Sequence, residues 1–331
     1  MLIIQLNLIS LKPNMNMKKT ALFLTLGLCA GVVSAQDLTS KKGEPILPEA
    51  GDYAISFDAT SFFNYAGNMF SGATASNTAP NAAWVNPNYM TITGKYFKDA
   101  TTAYRASVRL GFSSTKRVGE IADATITTPP AFPNVPTLKE DDIKARYHNV
   151  GIGLGIEKRK GKTRLQGYYG AEAWIWNSGQ SNHYDYGNNL SASGTPVGVN
   201  AATTTNFGVN NVISGINNTW TGNLVTDTYG NNARLKDASL GWTWGIGIRA
   251  FIGAEYFIFP KISIGAEYGY GFGFSYTSNA NYTTESVGGA PASVGTQSIT
   301  VRRSHNIALD NDINGGGSNT GTGSLKLTLH F

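Results

Sequence analysis

Lys261 to Ser278 reads KISIGAEYGYGFGFSYTS. From Ile262 to Tyr276 every second residue is apolar or aromatic: Ile262, Ile264, Ala266, Tyr268, Tyr270, Phe272, Phe274 and Tyr276. Between them stand Ser263, Gly265, Glu267, Gly269, Gly271, Gly273 and Ser275. A period of two places one set on each face of an extended strand. The second face carries glycine and one carboxylate, a composition that suits a crowded interior better than a solvated exterior. At about 3.4 Å per residue the stripe runs about 50 Å, well beyond an ordinary strand of five or six residues and long enough for a tilted membrane strand that continues past the bilayer.

The same alternation predicts eight strands, near 51–61, 88–97, 102–115, 144–158, 163–177, 238–251, 261–277 and 323–331. The connections alternate in length. Segments 62–87, 116–143, 178–237 and 278–322 are long and rich in Asn, Gly, Ser, Thr or Pro, whereas 98–101, 159–162 and 252–260 are short. Long loops on one side and short turns on the other are the pattern of an up-and-down membrane barrel. The expected fold class is therefore all-β, an antiparallel up-and-down transmembrane β-barrel of eight strands with long extracellular loops. A ten-strand count stays open, because SITVRRSHNIAL near 298–309 has the pattern of an extra hairpin arm.

Composition agrees with this class. The chain has 331 residues, 39 glycines, 15 Phe, 16 Tyr and 6 Trp, with only 14% charged residues. Met17 to Gln36, MKKTALFLTLGLCAGVVSAQ, has two lysines, an apolar run and small residues at Val33-Ser34-Ala35, the layout of a secretory signal cut after Ala35. Residues 1–35 form an upstream extension plus this signal, 36–50 a periplasmic lead-in, and 51–331 the barrel. Cleavage removes Lys12, Lys18 and Lys19 and no acid, leaving 23 basic against 21 acidic groups, so the high isoelectric point gives no reason to expect nucleic acid. The only cysteine, Cys29, lies in the signal, so the mature chain has no disulfide framework or thiolate metal site.

Signal, alternating strands, glycine-dense inner faces and the terminal GSLKLTLHF together resemble the small outer-membrane β-barrel proteins of Gram-negative bacteria, of the eight-stranded OmpA/OmpX type without a peptidoglycan-binding domain. GAEYFIFPKISIGAEYGYGF resembles barrels from Bacteroidetes. The resemblance implies an outer-membrane location among lipid and lipopolysaccharide. It also implies that Leu325, Leu327, Leu329 and Phe331 form the C-terminal signal read by the barrel-assembly machinery. It implies no particular activity.

Parity places Asp58, Arg105, Arg109, Arg164, Glu172, Arg249 and Glu267 on non-lipid faces. Eight strands leave room only for side chains inside, so these charges are expected to pair in an interior network. Trp174 and Trp176 share the face of Glu172 unless a bulge reassigns them. Trp242, Trp244, Phe274 and Tyr276 are expected at the outer membrane interface. Asp310, Asp312 and Asn314 match the first half of an acidic calcium loop, but Gly321 stands where the bidentate Glu belongs. His148 faces lipid while the nearest strand serines, Ser107 and Ser113, face inward, and His183 and His305 fall in polar loops. No catalytic set and no cofactor is therefore expected. The leading expectation is a non-enzymatic scaffold whose loops present a surface for adhesion or a partner protein; the alternatives are a small porin-like channel and, less favoured, a lipid-modifying enzyme.

Overall fold

The computed structural model describes residues 38–71, 91–128, 130–192, 198–199, 203–207, 222–310 and 324–331. The expected signal segment, with its cleavage after Ala35, lies outside the described residues. So do Asp312, Asn314 and the side chain of Asp310.

The strands are β1 (Tyr53–Asp58), β2 (Thr91–Asp99), β3 (Thr102–Ala122), β4 (Leu138–Lys160), β5 (Leu165–Asp185), β6 (Leu224–Thr226), β7 (Asn232–Phe259), β8 (Ile262–Gly288), β9 (Ser293–Asp310) and β10 (Ser324–His330). All pair antiparallel. The pairings close a ring of eight strands in the order β1, β2, β3, β4, β5, β7, β8, β10. Closure rests on β10, which pairs with β1 from Ala54↔His330 to Asp58↔Lys326 and with β8 from Leu329↔Ile262 to Ser324↔Glu267.

SITVRRSHNIAL does form a strand, yet the ring keeps eight. One edge of β8 is taken by β7 along its whole length, so β9 and β10 share the other edge. β9 pairs there from Gly288 to Gly271 and β10 from Glu267 down to Ile262. The two are upper and lower parts of one lane in the wall.

Three tight hairpins mark one end of the ring, here the turn end. Asp99–Thr102 is fixed by Asp99 Oδ1 accepting from the Thr101 amide at 2.8 Å. The second joins Lys160 to Leu165 through Gly161. The third replaces the expected connection 252–260: β7 continues to Phe259 and turns in two residues, Pro260 and Lys261. Lys261 has φ 61°, and its ammonium pairs with Asp52. Pro260 is a turn residue, but the positive φ falls on Lys261 rather than on a glycine, so the sequence did not mark how tight the turn is. The lead-in folds beneath the same end, where Ile46 is buried.

At the other end the strands run on into three of the expected loops, 116–143, 178–237 and 278–322. β7 has 28 residues and β8 27, about 90 Å each at 3.3 Å per residue. The wall therefore rises far beyond the eight-strand belt, and 278–322 opens with the β8–β9 hairpin, turned at 289–292. Within 62–87, Phe62, Phe63, Ala66, Met69 and Phe70 recur at helical spacing, and α1 spans Thr60–Ser71.

The rim above the belt has its own core: Ile143, Tyr184, Val225, Ala233, Leu235, Ala238 and Tyr282, with Phe207 and Ile299 packed against it. Bulges make this possible. In β8 the inward set is odd-numbered up to Thr277 and even-numbered from Ala280, because register slips between them. In β7 Gly241, at φ 81°, marks the same slip; a Cβ there would lie 2.4 Å from Ser278 O. A one-residue slip exchanges the faces of a strand. Alternation tuned to a greasy exterior thus becomes, a few residues on, alternation with a greasy interior.

Candidate functional site

The belt is polar inside and apolar outside. Below the slip, Ile152, Leu154, Ile246, Ile248, Ile252 and Phe272 point outward and are about half exposed. The inward faces hold Lys95, Arg105, Arg109, Glu157, Arg159, Glu172, Arg249, Glu255 and Glu267, each at most 9% exposed.

Eight of these charges form one bonded cluster with Lys326. The Glu267 carboxylate accepts from Arg105 Nη1 at 2.9 Å, Arg249 Nη1 at 2.9 Å and Lys326 Nζ at 2.7 Å. Arg249 also donates to Glu172 Oε1 at 2.7 Å. Glu157 takes Lys95 at 2.9 Å, Arg159 at 2.8 Å and Arg105 at 3.4 Å. Arg159 continues to Glu255, whose carboxylate accepts from Ser263 Oγ at 3.3 Å. Aromatic faces seal the cluster: the Arg105 guanidinium lies 3.9 Å from the Phe251 ring centre and Lys95 Nζ 4.9 Å from that of Tyr168. β3 and β8 lie four places apart in the ring of eight, so the Arg105–Glu267 bond crosses the full interior.

Glycines on the inner faces make the space. A Cβ at Gly253 would come within 2.4 Å of Tyr168, one at Gly245 within 2.0 Å of Trp176, and one at Gly269 within 2.1 Å of Arg249. Bulky inward side chains lie flat across glycines of neighbouring strands. Trp174 and Trp176 do face inward, each 8% exposed, and the β4–β5 register runs through them unbroken.

The structure brings together Arg105, Glu172, Arg249 and Glu267 from the expected set. Arg109 is buried on the same inner face, and Asp58 stands opposite Lys326 in register. Arg164 is elsewhere: in the turn-end hairpin it donates to the carbonyl oxygens of Phe257 and Ile258 at 3.3 and 3.1 Å. The strand that was expected to begin at 163 begins at Leu165, so parity does not apply to Arg164. Lys95, Glu157, Arg159, Glu255 and Lys326 are cluster members beyond that set. Lys95, Glu157 and Lys326 had the right parity in their expected strands, whereas Arg159 and Glu255 fell in the expected connections 159–162 and 252–260.

Two aromatic rows bound the outward apolar band. One contains Phe112, Trp242, Trp244, Phe274 and Tyr276; Trp242 is 56% and Trp244 51% exposed. The other contains Tyr53, Tyr96, Tyr104, Tyr169, Tyr256 and Phe331. From Trp244 to Tyr256 along β7 the rise is about 30 Å at 3.3 Å per residue and a tilt near 40°. Leu325, Leu327 and Leu329 alternate on the outward face of β10. The Phe331 ring stacks on Tyr53 at 6.5 Å, and the two residues exchange backbone hydrogen bonds of 2.9 Å.

The histidines lie in strands. His148 Nε2 is 2.9 Å from Asn177 Oδ1 and its ring meets Trp242 edge-on at 5.3 Å. His305, in β9, lies between the rings of Phe274 and Tyr276. His183, expected in a loop, is in β5, with Nδ1 2.5 Å from Asp237 Oδ1 and Nε2 3.4 Å from Asp185 Oδ2. Hydrogen bonding to Asp237 raises its pKa, helped by the charges of Asp237 and Asp185 and opposed by partial burial. No metal-binding group of His, Cys, Asp or Glu occurs among the described residues. The chain matches no known protein family, and no curated protein is similar to it.

Proposed function

We propose that the protein is an integral outer-membrane barrel, exported by its signal segment, whose wall is a non-enzymatic scaffold for a tall extracellular platform. The observation that carries this reading is the inverted polarity of the belt. Isoleucine, leucine and phenylalanine are exposed outside it, while ten charged side chains lie buried or largely buried inside. Water would penalise both arrangements. A bilayer favours both, since a closed ring leaves no unpaired backbone in lipid and the interior charges pair with one another. The aromatic rows, spaced by about the thickness of the hydrocarbon core, fit the two interfaces.

The platform consists of the upper parts of β3, β4, β5, β7, β8 and β9 around the Tyr184–Leu235–Tyr282 core. A rigid surface of this kind suits contact with outer-leaflet lipid, another envelope component or a partner protein, after assembly by the barrel-assembly machinery. The interior bond from Arg105 to Glu267 supports a closed wall over a channel.

Planar-bilayer recording on refolded protein at high salt tests the reading. The expected result is insertion with no stable open-channel current in the unmodified chain, and currents in an Arg105→Ala, Glu267→Ala double variant. Large stable currents from the unmodified protein would reject the scaffold in favour of a channel.

A further inference from the structure

A second site lies on the outside of the wall, where the strands slip register. Above Trp242 the β5–β7 register jumps from Gly179↔Trp242 to Ser181↔Ser239 and the β8–β9 register jumps from Thr277↔Ser304 to Ala280↔Arg302, while β7 and β8 keep one register with each other across this height. Bulges in neighbouring strands at one height bend a sheet. The bend leaves a depression of about 360 Å³ lined by Arg146, Ser181, His183, Asp237, Ser239 and Asn281.

Register explains which side chains meet there. One row across β4, β5, β7 and β8 is Arg146, Ser181, Ser239, Asn281; the row above it is Lys144, His183, Asp237, Thr283. The row beneath is His148, Gly179, Trp242. Small residues form the floor, and Gly179 has no room for a Cβ, which would lie 2.6 Å from His148 Cε1. Paired donors and acceptors form the walls, and a half-exposed indole stands at the lower lip.

We infer that this crease binds the saccharide portion of a glycolipid standing beside the barrel in the outer leaflet. The inference rests on the membrane reading above. Three features select the ligand class. Carboxylate, amide, hydroxyl and guanidinium groups side by side match adjacent sugar hydroxyls, which both donate and accept. Asp185 and Asp237 offset the charges of Lys144 and Arg146, so the crease offers no concentrated positive charge to a bare phosphate. The crease begins one row above Trp242, at the level where lipid head groups succeed hydrocarbon. Its volume lies at the small end of the range for ligand pockets.

The test uses protein refolded into phosphatidylcholine nanodiscs and titrated calorimetrically with lipid-free core oligosaccharide released from lipopolysaccharide. Intact lipopolysaccharide, phosphatidylglycerol and maltohexaose serve as parallel probes. The expected result is saturable binding of core oligosaccharide and intact lipopolysaccharide, weakened at least tenfold by Asp237→Asn and, independently, by Asn281→Leu. Gly295→Ala, where a Cβ meets nothing within 4 Å, should bind like the unmodified chain. Binding of intact lipopolysaccharide without the oligosaccharide, or binding untouched by both variants, would assign recognition to acyl chains on the belt and overturn the inference. Equal binding of maltohexaose would overturn the glycolipid source. Insertion without any saccharide binding would reject the crease and leave the barrel reading standing, whereas failure to insert would reject both.

Discussion

Trp174 of β5 lies across Gly153 of β4, so closely that a Cβ on Gly153 would stand 2.4 Å from the indole Cε2. The glycine is a receptacle for a side chain that has nowhere else to go inside a ring of eight. Gly153→Leu should force Trp174 off its rotamer or push the wall apart, at a cost of about 1–3 kcal/mol typical of overpacking. Urea unfolding of the heat-modifiable barrel in lipid vesicles measures it, with Gly295→Ala as the reference. An unchanged midpoint in Gly153→Leu would show that the interior at this level is open.

The belt was legible because one physical rule governs every residue in it: an apolar exterior and packed charge inside force strict alternation, as in Ile262 to Tyr276. Above the belt neither face has a single solvent. RVGEIA at 117–122 is strand with both faces largely exposed, and LKDASL at 235–240 changes inward parity at its slips, so periodicity there cancels. Helix α1 escaped a search for alternation. The charge cluster was half legible: parity found Arg105, Glu172, Arg249 and Glu267, but residues beside hairpins, such as Arg159 and Glu255, depend on where a strand ends. The crease was not legible at all, because its rows unite β4, β5, β7 and β8 through slips that no local pattern announces.

Glu267 accepts from three cations, so its loss should exceed that of any one of them. Glu267→Gln should destabilise the barrel by about 3–5 kcal/mol, the cost of leaving buried charge uncompensated. Arg105→Met leaves Glu267 with Arg249 and Lys326 and should cost less. Because Arg105 and Glu267 are directly bonded, the double variant Arg105→Met, Glu267→Gln should cost less than the sum of the singles in a double-mutant cycle. Strict additivity would mean that the cross-ring bond contributes nothing of its own.

Deleting residues 324–331 should abolish assembly. β10 supplies partners to β1 on one side and to the lower part of β8 on the other; without it two edges are left unpaired, and under the proposed membrane location they would face lipid. Phe331→Ser should act more mildly, because the paired backbone bonds between Tyr53 and Phe331 survive loss of the ring. Yield of protease-resistant, heat-modifiable barrel after expression distinguishes them: none from the deletion, a reduced amount from Phe331→Ser. Normal yield from the deletion would reject closure through β10.

The pair His183–Asp237 should make the platform sensitive to pH. The groups facing His183 are Lys144 and Arg146 on β4, Asp185 on β5 and Asp237 on β7, with uncharged Thr283 on β8 completing the row. The hydrogen bond to Asp237 leads in raising the folded pKa above the ordinary value near 6.5. A raised histidine contributes stability that is fully present below its unfolded pKa and is lost as pH rises through the folded one. Protease resistance of the platform should therefore be greatest below about pH 6.5 and decline on the alkaline side. The effect should be modest, since nearly half of the side chain is exposed and solvent screens the pair. Asp237→Asn should remove most of the slope, and proton NMR on histidine-labelled protein should show His183 titrating lower in that variant. His183 titrating at or below its unperturbed value in the unmodified chain, or an equal slope in Asp237→Asn, would place the pH dependence elsewhere in the barrel.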